Sequence, residues 1–485
     1  MTASTLSEKQ PPGRAARIGF WLGPLWLLMT LVLPAPAGMT EAAWACAGLA
    51  LLLATWWATE AIPIPATSLL PIILIPALGI GGLGSVTSNY GNPVIFLFLG
   101  GFLLGIGMQR WNLHQRIALR VLLVVGQKPR QQIAGFMIAT GFLSMWVSNT
   151  ATAIMMLPIG ISVISLLKSD DEAEIKRYAT ALLLAIAYAA SIGGIATLIG
   201  TPPNALLAGY MADTHDFHIG FAQWMIVGLP VSIVMMIAAW GWLTRGGFNL
   251  KTSDDSINVV RDELEKLGPM SQAERRVGTV FLLAAMAWIL RPMLNSMGID
   301  WLSDTSIAII AGVALFIIPS GTERHTQLMS WEDAKDLPWG ILLLFGGGLA
   351  LAGAVTSSQL AEWIAAQLVI FGMLPAILLV GVVILVIIFL TEITSNTATA
   401  AAFLPLIGAM AISMGIDPIL LAAPAAIAAS CAFMMPVATP PNAIVFATGH
   451  MKIQSMIRAG LFLNIIGAFV VTLLTGWLIR IAWGG

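Results

Sequence analysis

The sequence predicts an all-α polytopic membrane protein, with about 11 transmembrane helices plus two re-entrant hairpins in an inverted repeat. Composition is the first reason. Of 485 residues, 58% are hydrophobic and 10% are charged, and the mean hydropathy is +0.89; a soluble domain carries about 25% charge. Apolar runs of roughly 20 residues, enough for a helix to cross a bilayer, recur along the whole length. The second reason is that polar tripeptides and paired prolines sit inside such runs. The third is that these pieces occur twice. Ser148-Asn149-Thr150 is matched by Ser395-Asn396-Thr397, and Gly200-Thr201-Pro202-Pro203-Asn204 by Ala438-Thr439-Pro440-Pro441-Asn442. Gly100-Gly101 is matched by Gly346-Gly347, and the three offsets are nearly equal.

Residues 1–17 form an N-terminal tail, expected to be cytoplasmic because Lys9, Arg14 and Arg17 precede the first apolar run. Ala35-Pro36-Ala37 resembles a signal-peptidase site, but a first spanning helix fits better. Runs 18–35, 41–59, 62–80 and 92–109 read as four spans, returning the chain to the basic segment Arg110–Arg130. Residues 111–126 form an amphipathic interfacial helix, on which His114 is read as a surface residue. The uncharged run 132–167 has basic residues at both ends and Ser148-Asn149-Thr150 at its centre. It is therefore read as a re-entrant hairpin, with irregular backbone sheltered by protein or a water-filled cavity. Residues 178–212 form a helix broken at Gly200–Asn204, because Pro202 and Pro203 remove two amide donors and clash with the preceding turn. Span 224–244 ends the first half (18–245), and the charged segment 246–276 is a cytoplasmic linker.

The second half, 277–485, repeats the plan in the opposite sense. Spans 277–293, 304–320 and 338–357 lead to a second hairpin, 363–415, with Ser395-Asn396-Thr397 at its tip. A broken helix, 417–449, and a last span, 459–483, follow, which places the C-terminus outside. Inverted repeats with discontinuous helices are a signature of secondary transporters.

The chemistry of the site follows from the residues it lacks. No Lys, Arg, Asp or Glu occurs from Ile133 to Leu167, from Ala179 to Met211 or from Leu337 to Ala361. Anion contacts must come from hydroxyls, amides and helix N-termini, each terminus worth about +0.5 charge. Two such tips suit a guest with a carboxylate at each end but cannot neutralise a dianion, so cations must accompany it. Carbonyls freed at Gly200 and Ala438, with Asn and Thr oxygens, make hard-oxygen sites suited to sodium. Glu392 is the one titratable group within the motif segments, with cation coupling and bracing of the hairpin as its two candidate roles. Cys46 and Cys431 lie in apolar runs and read as small core residues. No basic block suggests nucleic acid, and no nucleophile–base pair or metal-ligand cluster suggests an enzyme.

At these residues the sequence resembles the divalent anion/sodium symporter family, the di- and tricarboxylate and sulfate carriers. Ser430–Val445, which includes Cys431-Ala432-Phe433-Met434-Met435-Pro436-Val437-Ala438-Thr439-Pro440-Pro441-Asn442, matches the family signature, and Arg110–Ala118 resembles its cytoplasmic helix. The resemblance implies a homodimer in the inner membrane, with scaffold and transport domains moving as an elevator. It implies substrate binding by Ser148, Asn149, Thr150, Ser395, Asn396 and Thr397, with Thr201, Thr439 and Pro440 beside them. One sodium ion is expected around Ser144, Ser148, Asn149 and Gly200, and a second around Thr391, Thr394, Asn396 and Ala438. The expectation is sodium-coupled uptake of C4-dicarboxylates such as succinate, malate or fumarate. The alternatives are a sodium-independent exchanger, or a sulfate or tricarboxylate carrier of the same fold.

Overall fold

The computed structural model describes residues 14–126, 128–167, 171–250, 255–321, 326–368 and 375–484. Its described residues are built from helices. The first half contains α1 (Arg14–Val32), α2 (Glu41–Thr59), α3 (Ile64–Thr67), α4 (Leu70–Ala77), α5 (Leu83–Ser88), α6 (Pro93–Arg110) and α7 (Leu113–Val125). It continues with α8 (Pro129–Ser144), α9 (Asn149–Ser165), α10 (Glu172–Gly194), α11 (Pro202–His215) and α12 (Phe221–Leu243). After α13 (Asp255–Lys266) come α14 (Gln272–Ser296), α15 (Asp304–Ile317), α16 (Trp339–Ser357) and α17 (Leu360–Leu368). The last elements are α18 (Ala376–Thr391), α19 (Asn396–Ser413), α20 (Ile419–Ala429), α21 (Pro440–Phe446) and α22 (Ile453–Trp483).

Nine helices among the described residues are long and apolar enough to cross a membrane. Two expected spans are shorter than a crossing. Run 62–80 is divided into α3 and α4 at Ser68–Leu69, where Pro71 in the first turn of α4 has no N–H to donate back across the junction. Run 304–320 is helical for 14 residues only. Burial sorts the long helices. The apolar window of α10 is 78% buried and that of α1 only 17%, so α10 is a core element and α1 a peripheral one. Glycines let α1 lie directly on α2: a Cβ at Gly19 would collide with Thr59, and the Gly19 carbonyl accepts from the Trp56 indole at 3.0 Å.

A pair of helices meets at each Ser-Asn-Thr tripeptide, and an interruption falls before each proline pair. Helices α8 and α9 form the first hairpin. The second is α18 with α19, so it is shorter than the expected 363–415: residues 360–368 form the separate α17, and 369–374 lie outside the described residues. Helices α10 and α11 flank the first break, and α20 and α21 the second. The two halves are interleaved, with α21 packing on α9 and α10 and α11 packing on α19 and α20.

His114 corrects an expectation. It is buried, 9% exposed, with Nδ1 at 3.1 Å from the Met108 carbonyl; burial lowers its pKa from the ordinary 6.5. The reason is that α6, α8, α13 and α14 all pack on α7, so no side of it is left open as on an isolated interfacial helix. Arg116, on the opposite side of α7, is buried too. It pairs with Glu274 at 2.6 Å and donates to the Gly268 and Leu267 carbonyls, fastening α7 to the linker. Cys46 and Cys431 are buried and free.

Candidate functional site

Each hairpin turns over a few residues that end in a serine capping the second helix. Ser148 accepts from the Ala151 amide at 3.2 Å, and Ser395 from the Ala398 amide at 3.5 Å. These are N-cap bonds of the usual kind. The remaining first-turn amides of α9 and α19 are thereby left at the tips, where they favour negative charge.

Behind each tip lies the same polar cluster. Ser144 Oγ is 2.5 Å from Asn149 Oδ1 and donates to the Ala190 carbonyl at 2.5 Å. Thr391 Oγ1 is 2.8 Å from Asn396 Oδ1 and donates to the Ala429 carbonyl at 3.0 Å. In both halves a hydroxyl at the end of the first hairpin arm therefore links the tip asparagine to the helix before the break. As placed, the Asn149 oxygen faces acceptors: Ser144 Oγ, the Ala190 carbonyl and the Gly200 carbonyl. With its amide turned round, the nitrogen would donate to them at 2.5, 3.2 and 3.3 Å. Such a cluster of hard oxygens is satisfied either by an amide NH₂ or by a cation that lets Oδ1 remain inward. Close backbone approach makes room for it. A Cβ at Gly194 would stand 2.9 Å from both Asn149 Oδ1 and the Gly200 carbonyl.

The breaks are braced from below by asparagines. Asn204 Nδ2 donates to the carbonyls of Gly194, Ile195 and Thr197, and Asn442 Nδ2 to those of Ala432 and Met435. Both side chains are buried, and each leaves its Oδ1 without a hydrogen-bond partner. Thr439 caps α21 through the Asn442 amide at 3.3 Å, whereas the Thr201 side chain makes no cap bond to α11. Thr201 instead lies 3.5 Å from Ser430 Oγ, joining the two breaks across the halves.

A cavity of about 650 Å³ reaches the first tip, lined by Ser148, Thr150 and Ala151, with Gly105 and Ile106 of α6 and Trp146. Its mouth carries Arg110, Asp333 and Asp336, and Arg110 forms an ion pair with Asp333. None of Ser395, Asn396 and Thr397 lines this cavity. Among the expected sodium ligands, the structure joins Ser144 with Asn149 and Gly200 in one cluster and Thr391 with Asn396 in the other. Ser148 spends its hydroxyl on the cap. Thr394 bonds the Leu390 carbonyl and Thr399, and Ala438 is buried beside the second break. Pro440 is exposed at the start of α21.

Glu392 occupies the position where the first half has Met145. Its Oε1 accepts from the amides of Phe433 and Met434 at 2.7 and 2.9 Å and from Asn464 Nδ2 at 2.7 Å. Its Oε2 accepts from the Met435 amide at 2.9 Å. The carboxylate thus holds the second break open by satisfying three consecutive amides. In the first half a single backbone group stands there, the Met145 carbonyl accepting from Thr197 Oγ1 at 2.6 Å. Sequence reasoning missed Asn464. Its signal was a lone asparagine in the long apolar α22, which, like Glu392, needs a polar partner at membrane depth.

Paired hairpins and broken helices, with buried polar clusters at their ends and a cavity leading to one of them, define a membrane transporter. The chain belongs to the sodium:sulfate symporter family, whose transmembrane-region model matches residues 22–483. This is a family of transporters, not enzymes. A sodium-dependent dicarboxylate transporter, SdcS, of Staphylococcus saprophyticus is 44% identical over 475 residues, covering 95% of this chain and 91% of the relative. The protein of the same name from Staphylococcus aureus strain USA300 is also 44% identical, over 498 residues, covering 100% of this chain and 95% of that one. Two solved structures share the fold. MtrF of Neisseria gonorrhoeae has a TM-score of 0.59 at 14% identity, covering 96% of each chain. The YdaH transporter of Alcanivorax borkumensis has a TM-score of 0.59 at 15% identity, covering 97% of this chain and 99% of its own.

Proposed function

We propose that the protein is a secondary active transporter that carries C4-dicarboxylates such as succinate, malate or fumarate into the cell together with sodium. The carrying observation is the pair of equivalent oxygen clusters, Ser144–Asn149–Ala190 and Thr391–Asn396–Ala429. Each stands behind a capped helix N-terminus, in segments free of Lys and Arg. In this reading sodium ions occupy the clusters and supply the positive charge that the tips lack. The substrate carboxylates meet Ser148-Asn149-Thr150 and Ser395-Asn396-Thr397, with Thr201, Thr439 and Pro440 beside them. The names of the 44%-identical relatives support both ion and substrate class.

The two halves act as an inverted repeat around this site, and the hairpins with their broken helices move as a transport body against a scaffold held in a homodimer. The N-terminus and the linker 246–276 lie in the cytoplasm, and the C-terminus lies outside. The cavity at Ser148 and Thr150 then opens inward, because Arg110 and Asp333 at its mouth belong to the cytoplasmic side. If more than two sodium ions accompany each dianion, net charge moves, and the membrane potential contributes about 2.3 kcal/mol per charge per 100 mV.

Succinate uptake into proteoliposomes tests the proposal. An inward sodium gradient should drive accumulation that a potassium gradient does not. Sodium-independent counterflow against internal succinate would assign the protein to the exchangers instead.

A further inference from the structure

A second cavity, of about 620 Å³, lies away from the hairpin tips, where α12 ends and α22 begins. It is lined by Lys176 and Arg177 of α10, Arg245 just beyond α12, and Lys452 and Arg458 at the start of α22. Arg177 has a carboxylate partner, Glu174 at 3.0 Å. Among the described residues, no ion pair engages the other four. Orienting a helix requires positive charge near its cytoplasmic end, but it does not require charges from three helices to converge on one space.

Two further features indicate what fills that space. Arg245 stacks on Trp242, 3.2 Å from the ring centroid, and Trp242 stacks on Phe462 of α22 at 3.7 Å. An amphipathic ring such as the Trp242 indole settles at headgroup depth. Deeper along the same two helices Ile237 is 62% exposed, Leu461 39% and Ile465 53%, so an apolar surface runs out of the basic cavity toward the hydrocarbon. Charge at one end and a greasy track at the other match a phosphoryl headgroup with its acyl chain. A soluble phosphate would use the first part alone.

We propose that this cavity binds an anionic phospholipid of the inner leaflet. Lys176, Arg245, Lys452 and Arg458 hold the phosphoryl oxygens, and the acyl chain lies along α12 and α22. Guanidinium groups suit such oxygens because they donate in pairs, and the N-terminus of α22 adds its own positive potential. The site is independent of the transport reading, since none of its lining residues belongs to the tip clusters.

The test uses purified full-length protein in neutral detergent, with phosphatidylglycerol, phosphatidylcholine or inorganic phosphate added and both Tm and retained lipid (native mass spectrometry) recorded. Phosphatidylglycerol should raise Tm and stay bound, and the other two should do neither. In Lys176→Gln/Arg245→Gln/Lys452→Gln/Arg458→Gln the gain should vanish. Should that variant fail to fold, Arg245→Gln and Arg458→Gln alone should each weaken retention about five-fold, the effect of one charge near an anionic surface. Removing two exposed lysines elsewhere, Lys266→Gln/Lys335→Gln, should change nothing. Equal stabilisation of the basic-site variants and the wild type would overturn the site. The same rise with inorganic phosphate alone would overturn the lipid as its occupant.

Discussion

Replacing Glu392 with glutamine separates the two roles that an intramembrane carboxylate can have. In the structure its two oxygens accept four hydrogen bonds, from the amides of 433, 434 and 435 and from Asn464. Glutamine keeps one oxygen for the three donors at Oε1 but turns an NH₂ toward the Met435 amide, leaving that donor opposed by another. A hydrogen bond to a charged group contributes about 1.5–3 kcal/mol, and a buried unsatisfied donor costs about 1–3 kcal/mol. The lost charge-assisted bond and the orphaned amide together amount to roughly 2.5–6 kcal/mol. At about 2 °C per kcal/mol for a large chain, Tm should fall by some 5–12 °C. The assay is thermal unfolding in detergent, paired with the sodium dependence of succinate uptake in proteoliposomes. Bracing predicts a lower Tm, with half-saturating sodium and the sodium-to-succinate ratio kept in the protein that remains folded. An unchanged Tm together with a lost or altered sodium requirement would refute the bracing role and make Glu392 a coupling residue.

Four other outcomes follow from the same geometry. Asn149→Ala and Asn396→Ala should each abolish sodium-driven uptake while the protein still inserts and unfolds cooperatively, as checked by uptake and by size-exclusion chromatography. Gly194→Ala puts a methyl group 2.9 Å from Asn149 Oδ1 and the Gly200 carbonyl; half-saturating sodium should rise by roughly tenfold or more, the 1.4 kcal/mol equivalent of a displaced ligand. Arg116→Met strands the buried Glu274 and should cost about 3–5 kcal/mol, read as a fall in Tm without a change in sodium dependence. His114 has its pKa lowered by burial from 6.5. Its stabilising contribution is therefore present above that ordinary value and lost as pH falls through the lowered one. His114→Gln should reduce the acid-side fall in Tm, and an identical fall in the variant would refute the assignment.

The hairpins and breaks were legible because their signals are local. Paired prolines cannot continue a helix, and Ser-Asn-Thr inside an uncharged run must either cap or bind. Repetition made both readings stronger than either copy alone. What escaped the sequence depends on distant partners. His114 and Arg116 look like exposed residues of a surface helix until the fold sets one against the Met108 carbonyl and the other against Glu274 and the linker. Glu392 has two plausible roles until the amides of 433–435 and Asn464 are placed around it. Hydropathy also reads 62–80 as one span, since a window of apolar residues does not register that the chain breaks before Pro71 into α3 and α4. The Asn204 and Asn442 braces were equally hidden: each sits within its own motif, but the carbonyls it gathers become neighbours only when the chain folds back across the break.

On the reading proposed above, sodium in the two oxygen clusters supplies the positive charge a dianion needs at tips without lysine or arginine. Titrating succinate into purified protein by calorimetry, in sodium chloride and then in potassium chloride at equal ionic strength, tests it most directly. Binding should appear in sodium, tighten as sodium rises, and be absent in potassium and in Asn149→Ala. Succinate binding of equal strength in both salts would contradict it.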